Sequence, residues 1–209
     1  KYHEELSLQA SANQWLLAAA DAAKKVIDAQ QYRLNIESDP KMSFRNLFIN
    51  EQPKSSEIML AAVNNLSLRV LNDANWYWTS ATYGRRLSFT KNFINTFLNI
   101  DGTRFTDQNN YNSIPFWEEV ENRDLRLQQT IRMGDYKREG QAAPPDFTYT
   151  YTGYMPYKFT LDSKATDGRA ENSNSLPLMR YAEVLLNYAE AMAELGSFTA
   201  AEWSITIKP

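Results

Sequence analysis

The chain has 209 residues, of which 43% are hydrophobic and 22% are charged. That composition is sufficient for a buried core and is unlike that of a disordered chain. The formal net charge of -3 at pH 7 argues against a nucleic-acid partner, because contacts to phosphates require a strongly basic surface. The chain contains no cysteine and one histidine, His3, which excludes disulfides, thiolate zinc sites and cysteine nucleophiles, and we predict no metal site.

The N-terminal part predicts one amphipathic helix. Apolar residues recur at helical spacing over 11–30, starting with Trp15, which we place in the core. Residues 32–36 then alternate between apolar and polar side chains, as in a short extended segment. The run at 57–63 indicates a buried strand.

The middle of the chain is less regular. Residues 64–88 show no periodicity and predict a loop rich in aromatic rings. Helical spacing returns over 89–100 and ends at Asp101-Gly102, a typical turn pair. Prolines and glycines interrupt the following stretch, for which we expect short helices and an extended segment at 146–161.

The C-terminal helix has the clearest pattern. Apolar residues form one face over 177–195, with Pro177 suited to the first turn and Gly196 to the position after the helix. A second helix follows, with Trp203 expected in the core. This helix–turn–helix pattern resembles one tetratricopeptide repeat, and the first helix of the chain is a candidate member of another.

We therefore predict a mainly α fold, in which a tetratricopeptide-like helical scaffold carries an irregular, partly β insertion. The expected segments are a helical scaffold segment at 1–36, an irregular middle region with a candidate ligand-binding loop at 37–175, and a helical repeat segment at 176–209. The last helix stops before a cap, and the chain starts at Lys1 with no visible targeting signal, so we expect an internal piece of a longer chain. No apolar run is long enough to cross a bilayer.

Four motifs, in the right order, resemble the SusD/RagB family of nutrient-binding outer-membrane lipoproteins. They are residues 23–34, Asp101-Gly102, Asn122-Arg123-Asp124-Leu125-Arg126-Leu127 with Thr130-Ile131, and the run from Leu176 to Ala191 that ends at Gly196. Leu125 stands where the family usually has proline. That departure affects backbone restraint rather than chemistry.

The resemblance implies a surface-exposed glycan-binding protein at the outer membrane. Its only membrane contact would be a lipid anchor that precedes this chain. Its partners would be an oligosaccharide ligand and a SusC-like TonB-dependent transporter, to which it delivers nutrients. This role involves no bond breaking.

A cluster of carboxylates raises the question of catalysis, since glycoside hydrolysis uses a pair of them. The cluster consists of Glu118, Glu119, Glu121 and Asp124. The spacing does not place a second carboxylate on the opposite side of a bound sugar. Arg123 and Arg126 flank Asp124, which favours ion pairing that holds a turn. Neither nucleotide-binding glycine motif, GxxxxGK[ST] or GxGxxG, occurs. We predict no catalytic residue, no cofactor and a protein that is not an enzyme.

The aromatic segment is the feature that favours ligand binding. Sugars present flat patches of C–H bonds rimmed by hydroxyls, so their sites combine exposed rings with amide or guanidinium donors. The predicted ligand-binding residues are Trp76 and Trp78, then Tyr77 and Tyr83, with Asn75 and Arg85 as polar partners. The alternative is that these rings fill the core beneath the loop.

A second class of function also fits the helical pattern. A helical-repeat protein can act as a scaffold for protein–protein interaction without binding any glycan. Such a scaffold would use the groove formed by its repeat helices, whereas a glycan-binding protein would use rings outside them. The long middle region without repeats favours glycan binding.

Overall fold

The computed structural model describes residues 6, 10–79, 85–168 and 170–209. The helices are α1 (Ala12–Asp28), α2 (Pro40–Ser43), α3 (Asn46–Ile49), α4 (Ala74–Thr79), α5 (Lys91–Ile94), α6 (Phe116–Glu119), α7 (Leu125–Thr130), α8 (Tyr181–Glu194) and α9 (Ala200–Thr206). The strands are β1 (Ile58–Ala62), β2 (Lys137–Arg138), β3 (Gln141–Ala142) and β4 (Leu176–Arg180), and 3-10 helices occupy Phe105–Asp107 and Lys164–Gly168. The predicted fold class, mainly α with an irregular and partly β portion, is confirmed.

Two compact units make up the chain. The helical unit takes the described residues of Lys1–Asn35 together with Lys54–Ala61 and Pro177–Pro209, and the irregular unit takes Ile36–Pro53 and the described residues of Ala62–Leu176. The division predicted from the sequence, at 1–36, 37–175 and 176–209, stays a prediction. None of the described helices has the length and hydropathy that a bilayer crossing demands.

In the helical unit, α1 packs against α8 through small side chains. Their shared core contains Ala20, Ala23, Tyr188 and Ala191, and the alanines allow the two backbones to approach closely. A capping box at Ser11 begins α1. Helix α8 ends at Glu194, and Gly196 takes the predicted position after the helix, with a φ of +69°.

That helix end has the hydrogen bonds of a Schellman motif. The Gly196 N–H donates to the Ala193 carbonyl over 2.9 Å, and the Ser197 N–H donates to the Met192 carbonyl over 2.8 Å. A left-handed backbone there is the conformation that favours glycine. The sequence signal and the geometry therefore agree.

The start of α8 differs from the prediction. Pro177 belongs to β4, which pairs with β1 in a two-stranded sheet, and the helix begins only at Tyr181. The Tyr181 N–H donates to the Glu57 carbonyl over 2.9 Å. Proline is tolerated here because both strands of such a sheet are edges. Strand β1, expected to be buried, buries only Ile58, and its other residues are half-buried or exposed.

Two tryptophans expected in the core lie at the surface. Trp15 is 59% exposed and Trp203 is 50% exposed, so this expectation is wrong. The apolar stripe of α1 is wider than its contact with α8, which buries only the alanine positions. A helical period indicates which residues share a face, but it does not show how much of that face is covered.

The irregular unit contains short helices joined by turns. The helix predicted over 89–100 is limited to α5, which ends at Ile94. The Arg123 guanidinium donates to the carbonyls of Ile94 and Phe97 over 2.9 and 2.7 Å. Because these carbonyls accept hydrogen bonds from a side chain, the helix does not continue past Ile94. Segment 146–161, expected to be extended, forms mainly turns and bends within the described residues.

The Asn122–Leu127 motif holds the start of α7. The Asp124 carboxylate accepts from the Arg126 N–H over 2.8 Å and from Arg126 Nε over 3.0 Å, so it both caps the helix and pairs with the guanidinium. The predicted ion pair of this carboxylate forms with Arg126, whereas the guanidinium of Arg123 bonds backbone carbonyls instead. The hydrogen bond from Arg126 lowers the pKa of Asp124 below its ordinary value.

Asp124→Asn should separate the ion pair from the cap, because asparagine is also a good N-cap residue. We expect the variant to lose about 0.5–1 kcal/mol of unfolding free energy at neutral pH, since Arg126 is largely exposed and the pair is screened. A folded-state pKa below the unfolded value stabilises the protein at neutral pH, and this contribution is lost as the pH falls through the folded-state pKa.

Urea unfolding of the unmodified protein and of Asp124→Asn, at neutral and at strongly acidic pH, measures this difference in unfolding free energy. The difference between them should close at acidic pH. A difference of the same size at both values would show that the charge of Asp124 contributes nothing.

Candidate ligand-binding site

The loop predicted over 64–88 is wrong for 74–79, which are helical, while its other described residues form turns, isolated bridges and irregular backbone. Residues 74–79 form α4. Asn72 precedes it, and its Oδ1 accepts from the Ala74 N–H over 2.9 Å. A helix of six residues is shorter than two turns, so it cannot show a hydrophobic period in the sequence.

The helix fixes how the three rings are distributed. Successive side chains on an α-helix are separated by about 100° around its axis. Trp76, Tyr77 and Trp78 therefore fan out, with the two tryptophans on nearly opposite sides, and all three are half-buried.

Trp78 lies against the interior of the irregular unit. Its ring centroid is 5.4 Å from that of Phe159, which in turn packs edge-on against Phe48 at 5.1 Å. The Lys158 ammonium lies 4.0 Å from the centre of the Phe48 ring. Trp78 thus attaches α4 to a chain of packed rings.

Trp76 and Tyr77 form a second aromatic contact next to a cation. Their centroids are 4.9 Å apart in an edge-to-face arrangement. The Arg85 N–H donates to the Tyr77 carbonyl over 3.2 Å, and the Arg85 guanidinium carbon is 6.0 Å from the centre of the Tyr77 ring. Arg85 is exposed. The structure therefore brings these three predicted residues together, while Tyr83 lies outside the described residues.

Asn75, predicted as a polar partner of the ligand, points into the protein. It is 0% exposed. Its amide nitrogen donates to Thr166 Oγ1 over 2.8 Å and to Asp167 Oδ1 over 3.1 Å, and its Oδ1 accepts from the Leu161 N–H over 3.0 Å. These bonds position α4 and keep the Asn75 side chain buried.

Sequence reasoning missed the residues that support α4. Arg138 bonds both carboxylate oxygens of Asp167, over 2.7 and 2.8 Å, and Asp167 in turn bonds Asn75. Asn75 and Thr166 are separated by 91 residues in the chain, and no local motif links them. Only the fold reveals this contact.

Glu119, from the carboxylate cluster, is buried beside a cavity of about 520 Å³. Its Oε1 accepts from Lys91 Nζ over 2.6 Å, and its Oε2 accepts from the Tyr154 hydroxyl over 2.8 Å. Burial and this hydrogen bond raise the pKa of Tyr154 above its ordinary value. Both oxygens of Glu119 therefore hold the fold together.

Comparison with known proteins decides the family. The model of the SusD family matches residues 63–207, which include α4, Glu119, α7 and α8. The chain belongs to the SusD family. No curated protein matches it.

Solved structures share the SusD-family fold. One is a SusD-like carbohydrate-binding protein from Bacteroides fragilis, with a TM-score of 0.74, 21% identity, and coverage of 92% of this chain and 39% of that one. Another is a SusD-like protein from the same species, with a TM-score of 0.56, 20% identity, and coverage of 90% and 42%. The SusD-family chain thus spans about two fifths of the length of either structure.

The support for α4 predicts the effect of Asn75→Ala. The substitution removes an amide that serves buried donors and acceptors, and leaving those partners unsatisfied should cost about 1–3 kcal/mol of unfolding free energy. Asn109→Ala is the matched control, because Asn109 is exposed and such changes usually stay within about 0.5 kcal/mol. Chemical unfolding with tryptophan fluorescence reports both values. Equal stability of the two variants would contradict the positioning role of Asn75.

Proposed function

We propose that this SusD-family chain binds an oligosaccharide at the cell surface and delivers it to a SusC-like TonB-dependent transporter, as part of a lipid-anchored outer-membrane protein. One observation carries the proposal: Trp76 and Tyr77 lie together on α4 with the exposed guanidinium of Arg85 beside them. Rings offer flat surfaces to sugar C–H groups, and the guanidinium offers donors to hydroxyls.

The support beneath α4 suits a binding site. Asn75 is fully buried and hydrogen-bonded, and Trp78 packs on Phe159, so the helix holds its rings in place before a ligand arrives. A preorganised site avoids the entropy cost of ordering these side chains on binding. Trp76 and Tyr77 are therefore the proposed contacts, Arg85 is the polar partner, and Trp78 is mainly a support.

The family supports carbohydrate as the ligand class, since one SusD-like relative is described as carbohydrate-binding. Two of the four clustered carboxylates support a role without bond breaking. Both oxygens of Glu119 are bonded to Lys91 and Tyr154, and Asp124 is bonded to Arg126. Neither is poised to transfer a proton to a sugar.

A protein-interaction scaffold is the second candidate. Trp15, Leu186 and Trp203 are each at least half exposed in the helical unit, and exposed apolar side chains are typical of protein contacts. These residues belong to repeat-like helices and not to α4. Substitutions in α4 therefore distinguish the two functions.

Isothermal titration against a panel of soluble neutral and acidic oligosaccharides tests the proposal. We expect binding to at least one glycan and a loss of affinity of about tenfold or more in Trp76→Ala, since a ring that stacks on a sugar buries substantial apolar area. Trp117→Ala is the matched control, because Trp117 is 68% exposed and lies on α6. Its affinity should equal that of the unmodified protein.

Two outcomes would contradict this assignment. Equal affinities in Trp76→Ala and the unmodified protein would remove α4 from the site. Absence of binding to the whole panel, together with capture of a purified protein partner that is lost in Trp15→Ala, would favour the scaffold. Trp78→Ala is useful as a stability probe, since it removes the contact with Phe159.

A further inference from the structure

A basic cavity adjoins the residues that support α4. It has a volume of about 190 Å³, and its lining includes Arg132, Arg138, Lys164, Gln141 and Asp167. We call it the Arg132 pocket. Its positive groups outnumber its single carboxylate.

One wall of the Arg132 pocket is the hairpin of β2 and β3. The two turn residues, Glu139 and Gly140, have φ angles of +51° and +77°, the left-handed pair that joins strands by a tight turn. This turn pairs Arg138 directly with Gln141. Glu139 Oε1 also accepts from the Lys164 N–H over 2.7 Å, which attaches the hairpin to the 3-10 helix on the other side.

Arg132 is the unusual member of this lining. It is only 6% exposed, yet its Nε and Nη2 have no hydrogen-bond partner in the part of the chain that the structure describes. Its Nη1 reaches the Ala143 carbonyl at 3.4 Å, which is long for such a bond.

Other buried arginines of the irregular unit also leave Nε without a partner among the described residues, but their terminal nitrogens are paired. Arg45 bonds both oxygens of Asp162, at 3.1 and 2.9 Å, and Arg138 bonds both oxygens of Asp167. Arg123 donates to three backbone carbonyls. Arg132 has no comparable set among the described residues.

The carboxylates near Arg132 accept hydrogen bonds from other groups. Asp167 is bound by Arg138 and Asn75, and Asp146 Oδ1 accepts from the Thr148 N–H over 2.7 Å. The ring of Tyr136, 5.0 Å from the guanidinium carbon, offers only its face. Burial lowers the pKa of Arg132 below its ordinary value, but a guanidinium stays charged in proteins. Arg132, a buried cation whose terminal nitrogens make one long hydrogen bond among the described residues, thus lines the cavity.

We propose that the Arg132 pocket binds the anionic group of an acidic glycan, either the carboxylate of a uronic acid or a sulfate ester. Both groups present oxygen pairs that match the planar fork of a guanidinium. The inference rests on the proposed function for the glycan, and it adds the charge of the preferred ligand. Asp167 connects the pocket to α4, because its Oδ1 accepts hydrogen bonds from both Arg138 Nη2 and Asn75 Nδ2.

Matched ligand pairs test the preference. The protein is titrated with an oligogalacturonate and its neutral methyl ester, and with a sulfated galactan oligosaccharide and its desulfated form. We expect at least one acidic member to bind about tenfold or more tightly than its neutral partner, since hydrogen bonds to charged groups are the strong ones. The pair that shows the difference identifies carboxylate or sulfate as the ligand group.

Gln141→Glu locates the effect without removing a buried residue. Gln141 is exposed and lines the pocket, so the new carboxylate supplies Arg132 with an internal partner. The variant should be thermally more stable and should lose the preference for the acidic ligand. Gln141→Ala is the control and should keep that preference. Arg132→Lys, which keeps the charge but not the fork, should weaken acidic binding.

A readout without glycan separates this inference from the proposed function. Free sulfate and acetate should shift the Arg132 Nε–H resonance in the NMR spectrum of the unmodified protein but not in that of Gln141→Glu. If that shift occurs while no glycan binds, the anion pocket stands and glycan binding fails. If glycans bind with no acidic preference and neither anion shifts the resonance, the Arg132 pocket is wrong and glycan binding stands.

Discussion

Hydrogen bonds from buried guanidinium groups hold the irregular unit together. An irregular backbone leaves carbonyl groups without the ladders of helices and sheets, and buried carbonyls need donors. A guanidinium carries five N–H donors in one plane, so one arginine can donate hydrogen bonds to several segments of the backbone. Arg123 gathers the carbonyls of Glu119, Ile94 and Phe97, and Arg45 bonds Asp162 while it stacks at 3.8 Å over the Tyr157 ring.

This mode of stabilisation also sets the position of the candidate site. Arg138 orients Asp167, Asp167 and Thr166 hold Asn75, and Asn75 fixes α4. A helix of six residues is too short to be stable alone, so its rings depend on these tertiary bonds. The site is therefore precise because the residues beneath it are buried and paired, not because α4 is a strong helix.

Local signals in the sequence predicted local features, and distant contacts decided the rest. The glycine at Gly196 acts within one turn of chain, and that helix end formed as the pattern indicates. The segment around Pro177 became a strand because it met β1, more than 100 residues away in the chain. The sequence indicated the rings of α4 as candidates for ligand binding. Their half-buried positions, and the burial of the Asn75 side chain, depend on distant contacts that no sequence motif reveals.

The hydrogen bonds of Arg132 differ from those of the other buried arginines. Where arginines serve the fold, as Arg45, Arg123 and Arg138 do, each donates to carboxylates or carbonyls at ordinary distances. Burial of a charge is unfavourable without such partners, so a buried guanidinium that the fold leaves underused indicates a partner from outside the described chain. Asp167 lines the Arg132 pocket and bonds both Arg138 and Asn75. One carboxylate therefore links the pocket for a charged partner to the residue that positions the rings of α4.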